Sequence, residues 1–460
     1  MKRPNMWETY SDEQMNALNQ LCERYKTCLN LGKTERECVT LAIQMAEENG
    51  YRNLEALIES GEKLSAGDKV YAQKSGKMIA LFQLGTEPLE NGMNILGAHV
   101  DSPRLDIKQN PLYEDSNMAY LDTHYYGGIK KYQWVTTPMA LHGVVIRKDG
   151  STQEIVIGEK DSDPVLVITD LLIHLSAERQ EMKAAVVIDG EGLDLLIGSK
   201  PATGEKEDKV KATILQFLKD EYNIEEEDFL SAELEVVPAG KSRDCGMDRS
   251  MVIGYGQDDR VCSFPSLFAM LEVESPERTT CCILVDKEEI GSVGATGMQS
   301  QFFADMVGEL VALTDGESAL KTKRALRNSC MLSSDVSAGF DPLYPGVFEK
   351  KNSAFIGNGL VLNKFTGARG KNGSNDSDPE FIAKLRKLFD DNQVGFQTAE
   401  MGRVDAGGGG TIAYIMANYG MQVIDSGVAV LSMHAPWEVT SKADIYEAYK
   451  AYKVFLEKMR

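Results

Sequence analysis

Short apolar runs that lead into acidic or histidine residues constrain the fold of this chain more than any other feature. Each run is too short for a typical helix and has the composition of a buried β-strand. Helical stretches such as Val261–Leu271 alternate with the runs, which predicts an open α/β sheet flanked by helices. The runs and the residues that follow them are Met93–Gly97 with His99 and Asp101, Met251–Gly254 with Asp258 and Asp259, Cys281–Val285 with Glu288 and Glu289, Cys330–Leu332 with Asp335, and Val428–Leu431 with His434.

The positions of these polar residues predict a metal site. Ligands bind to open α/β sheets outside the carboxyl ends of the strands, so side chains that follow several strands should meet at one edge. Two histidines and several carboxylates are the ligand types of a dinuclear metal hydrolase. In the sequence His99-Val100-Asp101, the aspartate has the position of a carboxylate that orients a metal-bound imidazole.

Each motif also has a simpler reading when it is taken alone. The pair Asp258-Asp259 stands before a helical stretch and is suited to N-capping. Adjacent glutamates such as Glu288-Glu289 are common on surfaces, Asp335 is suited to a turn, and His434 to a buried, hydrogen-bonded position. The placement of all of them directly after predicted strands favours the metal site.

Motifs of other enzyme classes are incomplete. The segment Gly407–Gly410 precedes a predicted helix but lacks the lysine and the spacing of a P-loop. It is predicted to be a close-packed turn whose N–H groups are able to bind an anion. The glycines of Gly291–Gly297 do not match a dinucleotide fingerprint. The sequence contains no G-x-S-x-G elbow and no cysteine beside a histidine partner.

The middle of the chain has a different pattern, which predicts a second domain. Alternating segments such as Leu141–Arg147 and Gln153–Ile157 flank a turn at residues 148–151, and a helix is predicted over Glu207–Glu221. A length of 460 residues also exceeds the usual limit of a single core. We expect a first domain in two parts, residues 1–106 and 241–460, interrupted by a β-rich insertion domain at residues 107–240.

Charge and composition exclude several classes of partner. A formal net charge of −21 opposes sequence-independent binding of nucleic acids. No stretch approaches 18 uninterrupted apolar residues, and the N-terminus lacks the apolar region of a signal peptide. The eight cysteines contain no C-x-x-C pair and lie in apolar or helical patterns, as reduced thiols do. The sequence therefore predicts a cytoplasmic protein with neither membrane nor nucleic-acid partners.

The order of the motifs resembles that of the M18 family of aspartyl aminopeptidases, from His99 to the C-terminal helix. This resemblance implies an α/β metallopeptidase catalytic domain with a mixed central sheet flanked by helices and interrupted by a β-rich insertion. It also implies hydrolysis of the N-terminal peptide bond of peptides that have a free N-terminus. The matching segments are His99-Val100-Asp101-Ser102-Pro103, Asp258-Asp259-Arg260, Asp286–Ser292, Ser334-Asp335 and Met433-His434.

The resemblance also implies a role for each matching residue. Asp258 would bridge two metal ions, His99 and Asp335 would complete one metal site, and Glu289 and His434 would complete the other. Glu288 would be the general base, and Asp101 would orient His99. The expected cofactors are two zinc ions per chain, although cobalt and manganese bind similar ligand sets. The expected assembly is a large homo-oligomer, a dodecamer by family resemblance, in which the insertion domain provides contacts and a lid.

One segment departs from the family pattern and affects the expected specificity. Where the family has histidines just after the metal-binding aspartate, this chain has Ser337-Ala338-Gly339-Phe340-Asp341. We therefore do not expect a strict preference for acidic N-terminal residues. Two alternatives to an aminopeptidase are a related dinuclear metallohydrolase (glutamyl aminopeptidase-like, a carboxypeptidase or a deacylase) and a non-catalytic assembly protein.

Overall fold

The computed structural model describes residues 3–204, 207–367 and 369–460, and these form two compact units. The large unit comprises the described residues of Met1–Asp101, Ser242–Met433 and Glu438–Arg460. The small unit comprises those of Ser102–Lys241 and His434–Trp437. Within the described ranges, no helix is both long enough and apolar enough to cross a membrane.

The first two long helices begin at residues whose side chains cap them. Ser11 and Thr34 each accept a hydrogen bond from the backbone N–H of the third helical residue, and the side chains of Gln14 and Glu37 accept from the N–H of the cap residue, so each pair forms a capping box. The helices are α1 (Asp12–Leu31), α2 (Glu35–Glu48), α3 (Leu54–Ser60), α4 (Ala177–Gln180), α5 (Lys209–Tyr222), α6 (Gln257–Leu271), α7 (Phe302–Thr314), α8 (Ala319–Asn328), α9 (Pro379–Asp391), α10 (Ala413–Ala417) and α11 (Lys442–Lys458).

The strands form one large sheet and two smaller ones among the described residues. The nine-stranded sheet has the order β1-β2-β3-β14-β4-β15-β19-β17-β18, and the five-stranded sheet has the order β12-β13-β21-β20-β16. Both belong to the large unit. The strands are β1 (Arg52–Asn53), β2 (Lys69–Lys74), β3 (Met78–Gln83), β4 (Met93–His99), β5 (Arg104–Asp115), β6 (Met118–Tyr126), β7 (Pro138–Ile146), β8 (Thr152–Ile157), β9 (Leu166–Val167), β10 (Leu195–Gly198), β11 (Ala232–Pro238), β12 (Arg243–Cys245), β13 (Met251–Gly254), β14 (Thr279–Val285), β15 (Cys330–Ser333), β16 (Ser337–Ala338), β17 (Leu360–Asn363), β18 (Phe396–Ala399), β19 (Gln422–Gly427), β20 (Ala429–Leu431) and β21 (Glu438–Ser441).

The nine-stranded sheet separates two hydrophobic cores. Every residue of β4 and β14 is buried, and alternate residues point to opposite faces of a sheet. Leu96 and Leu284 accordingly pack into a core with residues of α1, α2, α6 and α11, whereas Ile95 and Ile283 pack into another with residues of α3, α7 and α8. Because both faces are covered by helices, these strands are continuously apolar. The predicted α/β fold with a mixed central sheet is confirmed.

The central strands of the sheet bring their carboxyl ends to one edge. Strand β4 pairs in parallel with β14 and β15, with His99 opposite Val285 and Gly97 opposite Ser333. The carboxyl ends of β4, β14 and β15 therefore lie at nearly the same level of the sheet. Residues shortly after Val285 and Ser333 are therefore placed beside His99.

The expectation that all five apolar runs belong to one sheet is wrong. Strands β13 and β20 lie in the five-stranded sheet, where each pairs with β21 in antiparallel orientation. Short strands of similar composition have no local feature that selects their partners. The run pattern therefore predicted the strands but not the sheet to which each belongs.

The small unit is rich in β-structure. Its seven-stranded sheet has the order β11-β5-β6-β10-β9-β7-β8, and β11 also pairs with β7. Because β11 pairs with both β5 and β7, the sheet closes into a barrel-like arrangement, which removes edges that would otherwise be exposed. The helix predicted over Glu207–Glu221 is observed as α5.

Candidate metal centre

His99 is the last residue of β4, and its ring is held by a neighbouring aspartate. The side chain is 2% exposed. Its Nδ1 lies 3.0 Å from the carbonyl oxygen of Asp101 and 3.3 Å from Oδ1 of the same residue. If Nδ1–H donates to these oxygens, the lone pair is on Nε2, which is the tautomer that a metal ligand requires.

Carboxylates surround Nε2 of His99. It lies 3.3 Å from Asp258 Oδ1 and 3.9 Å from both Glu288 Oε2 and Asp335 Oδ1. Burial alone would lower the pKa of His99, but the hydrogen bonds to Asp101 and Asp258 and the charge of Glu288 raise it well above its ordinary value. The site therefore attracts positive charge.

Asp258 and Asp259 lie in the bend between β13 and the body of α6. Both have non-helical backbone angles, and the residue that precedes α6 as its N-cap is Gly256. The peptide N–H of Asp258 donates to Glu438 Oε2 at 3.0 Å. Asp259 is fully buried, and its burial and the adjacent Asp258 raise its pKa well above the ordinary value, although His99 opposes this.

Glu288 and Glu289 lie in a turn that is hydrogen-bonded to Asp101 at the edge of the sheet. After β14 ends at Val285, Lys287 adopts positive φ and a short 3₁₀ helix begins at Glu288. The backbone N–H groups of Glu288 and Glu289 donate to Oδ1 and Oδ2 of Asp101, each at 3.2 Å. One buried carboxylate therefore orients the His99 ring and also fixes the turn that carries both glutamates.

Asp335 completes the cluster from β15. The N–H of Ser334 donates to the carbonyl oxygen of Gly97 at 2.6 Å, which continues the pairing with β4 beyond the strand end. Burial and the nearby charges of Glu288 and Asp259 raise the pKa of Asp335 well above its ordinary value, while His99 lowers it. These carboxylates cannot all ionise at close range without a compensating cation.

Three groups of side chains in the large unit have ligand atoms within 4.8 Å of one another: His99, Asp258 and Glu289; His99, Glu288 and Asp335; and Asp258, Asp259 and Asp335. The groups overlap at His99, Asp258 and Asp335. Oδ1 of Asp259 is buried without a hydrogen-bond donor among the described residues. One imidazole with several carboxylates is a donor set that zinc accepts, so the residues present fit the metal.

His434 has a separate environment in the small unit. It follows β20, has positive φ, and its Nδ1 lies 2.8 Å from the carbonyl oxygen of Gly128. A hydrogen bond from Nδ1–H to that oxygen would again leave the lone pair on Nε2. The three groups described above consist of large-unit residues, and the role of His434 as a ligand remains a prediction.

Sequence reasoning missed Glu438 as a supporting residue of this site. Its side chain is 1% exposed and accepts the hydrogen bond from the N–H of Asp258. Residue 438 begins β21 and is paired with Gly254 at the end of β13. The only signal in the sequence is an acidic residue at the start of a short strand. That signal is too common to identify a supporting residue.

The open α/β sheet and the carboxylate-rich centre at its carboxyl edge define the class of metal-dependent hydrolases. A family model described as aminopeptidase I zinc metalloprotease (M18) matches residues 28–456 of the chain. The chain belongs to the M18 family, and it is a zinc-dependent metalloaminopeptidase.

Relatives and solved structures agree with this assignment. The chain is 58% identical to a probable M18 family aminopeptidase 1 of Clostridium acetobutylicum over 98% of its own length and 97% of that protein. The crystal structure of an M18 aminopeptidase from Thermotoga maritima matches with a TM-score of 0.95 at 42% identity and covers 100% of both chains. That of aminopeptidase I from Clostridium acetobutylicum matches with a TM-score of 0.93 at 56% identity and covers 99% of both. The alternative hydrolase and assembly functions are not favoured.

Proposed function

We propose that the centre holds two zinc ions per chain and that its residues have separate roles in peptide hydrolysis. The observation that supports this proposal is the overlap of the three close groups at Asp258, His99 and Asp335. In this proposal Asp258 would be a ligand common to both ions, His99 and Asp335 would complete one site, and Glu289 and His434 would complete the other. Bound zinc supplies Lewis-acid chemistry, which acidifies a water and polarises the scissile carbonyl.

Glu288 is the general base in this proposal. Its side chain is 14% exposed, and its Oε2 lies 3.9 Å from His99 Nε2, which places it at the centre without complete burial. A carboxylate in this position takes a proton from the attacking water and delivers it to the leaving amine. Asp101 is a positioning residue, because it contacts His99 and the N–H groups of both glutamates rather than any reacting atom.

The substrate is proposed to be a peptide with a free N-terminus and without an obligatory acidic first residue. The segment after Asp335 carries Phe340, whose ring lies 5.3 Å from that of Phe348 and 5.4 Å from that of Phe355. Phe340 therefore lies in an aromatic cluster, in the segment of the sequence where the family pattern has histidines. A carboxylate that is buried without a charged partner is strongly disfavoured.

We expect the purified enzyme to hydrolyse arylamides of leucine or methionine at rates equal to or above those of aspartate and glutamate. The measurement is kcat/KM over a panel of aminoacyl arylamides, with and without a chelator, and with N-acetylated substrates as controls. Activity that survives chelation or N-acetylation would contradict the metalloaminopeptidase function. Cleavage restricted to aspartyl and glutamyl arylamides would contradict only the proposed specificity.

The chain is also proposed to form a closed homo-oligomer, a dodecamer by family resemblance. A structure of yeast mApe1, which has 20% identity to this chain and a TM-score of 0.78, is a dodecamer. In the small unit, Leu172, Ile173 and Leu175 are 54%, 65% and 69% exposed. Adjacent exposed apolar residues are typical of interfaces. This supports subunit contacts through the insertion domain, residues 107–240, which is also proposed to provide a lid.

Light scattering at micromolar concentration in the presence of zinc is expected to show an assembly much larger than one chain. Replacement of Ile173 and Leu175 by aspartate should shift the distribution towards smaller species, because the charges would have to be buried in the contact. Detection of monomer alone in the unaltered protein would contradict the proposal.

The proposed location is the cytoplasm, which agrees with eight cysteines that form no disulfide.

A further inference from the structure

The glycine-rich segment Gly407–Gly410 has no role in the proposed hydrolysis. It leads into the buried residues Thr411 and Ile412 and then into α10. Gly407 and Gly410 are exposed, and Gly408 and Gly409 are half-buried. The segment is therefore a surface turn whose C-terminal end is anchored in the protein.

The anchor is a hydrogen bond between Thr411 and Asp425. Thr411 Oγ1 donates to Asp425 Oδ1 at 2.5 Å and also lies 3.3 Å from the N–H of Ala413, from which it accepts. Asp425 lies within β19 and is 1% exposed. Burial raises the pKa of Asp425 to about 7, although the bond from Thr411 lowers it. A buried acid held in this way fixes the end of the turn to the sheet.

The anchor adjoins the strands that carry the metal centre. Asp425 is paired with Ser333, two residues before Asp335. A Cβ atom on Gly97, two residues before His99, would lie 3.4 Å from Cδ1 of Ile412. The residues that follow the turn thus pack against the same strand ends as His99 and Asp335.

One side of the turn is open, and part of its backbone is available for binding. The N–H of Gly409 donates to the carbonyl oxygen of Thr366 at 3.2 Å, whereas the N–H groups of Gly408 and Gly410 donate to no group within the described ranges. A Cβ atom on Gly409 would have no neighbour within 4 Å. A ligand could therefore approach the backbone here closely.

We propose that the turn Gly407–Gly410 binds the main chain of the peptide substrate beyond the scissile bond, and that Asp425 is the positioning residue that holds the turn through Thr411. An aminopeptidase that accepts many sequences needs contacts with features that all peptides share, and backbone N–H groups provide them to peptide carbonyls. This inference rests on the proposed metal centre, because it takes His99 and Asp335 as the position of the scissile bond.

The test compares two substrates with the same first residue, leucyl-glycyl-glycine and leucine p-nitroanilide. The anilide has no peptide main chain beyond the scissile bond. In Thr411→Val, which removes the hydroxyl with little change of shape, the ratio of kcat/KM for the tripeptide to that for the anilide should fall about tenfold, as expected for the loss of one or two hydrogen bonds. Thr411→Ser keeps the hydroxyl donor, and Asp425→Asn keeps an oxygen acceptor. Each of these two variants should retain most of the ratio of the unaltered enzyme.

A second variant tests the turn itself. Gly409→Ala adds a methyl group that meets no atom of the free protein, so it should lower the same ratio only if a peptide approaches that side. Gly346→Ala is the matched control, since a Cβ atom there also has no neighbour within 4 Å. An unchanged ratio in both Thr411→Val and Gly409→Ala, with zinc content and melting temperature retained, would overturn the inference. Absence of metal-dependent anilide hydrolysis in the unaltered enzyme would instead overturn the proposed function.

Discussion

Glu288→Gln is expected to retain zinc but to lose nearly all peptide hydrolysis. Glutamine has the shape of glutamate, but its amide cannot accept the proton of the attacking water. In this proposal the ligands are other residues, so the metal content should not change. General acid–base catalysis contributes typically ~10² to 10⁴-fold to the rate, and kcat should fall by a factor in that range while KM changes little. The measurements are kcat on leucine p-nitroanilide and zinc per chain after dialysis.

The matched control is Glu59→Gln, which makes the same chemical change at an exposed position of α3. It should have the kcat and the zinc content of the unaltered enzyme. Full activity of Glu288→Gln would remove Glu288 as the base. Loss of zinc together with activity would indicate that Glu288 is a metal ligand. Glu288 could have that role because its ligand atoms lie close to those of His99 and Asp335.

The sequence was sufficient to predict the central sheet because its strands have a simple physical signature. The runs that became β4, β14 and β15 are continuously apolar since helices cover both faces of the sheet. The parallel register of these strands then places the residues after His99, Val285 and Ser333 at one edge. Local pattern and the general rule for open sheets account for the closeness of His99, Glu288, Glu289 and Asp335. They do not account for Asp258, which follows β13 of the five-stranded sheet.

The contacts that orient those residues could not be predicted in the same way. Asp101 was expected to hold His99, but its bonds to the N–H groups of Glu288 and Glu289 join positions 187 and 188 residues apart. The bond between His434 and Gly128 spans 306 residues. Such contacts follow from the three-dimensional arrangement of whole elements, and no periodicity in the sequence signals them.

The closure of the small-unit sheet has the same origin. Alternating patterns predicted strands near β7 and β8, which a short turn joins. The pairing of β11 with β5 and β7 connects segments that are distant in the sequence, and the loop entropy of such pairings is repaid only by the complete arrangement. The presence of strands could therefore be predicted from the sequence, whereas their order could not.

Asp258→Ala is expected to lose both zinc and activity. Asp258 belongs to one close group with His99 and Glu289 and to another with Asp259 and Asp335, so its removal takes a ligand from both proposed sites. Loss of a partner that only orients a ligand typically costs ~10 to 100-fold in metal affinity, and loss of a bridging ligand should cost more than about 100-fold. The measurements are zinc per chain, competition with a chromophoric chelator, and kcat/KM on leucine p-nitroanilide. Asp391→Ala, which removes an exposed aspartate of α9, is the control and should retain both properties. If Asp258→Ala still bound two zinc ions per chain with unaltered affinity, the bridging assignment would be wrong and the buried Asp259 would be the next residue to replace.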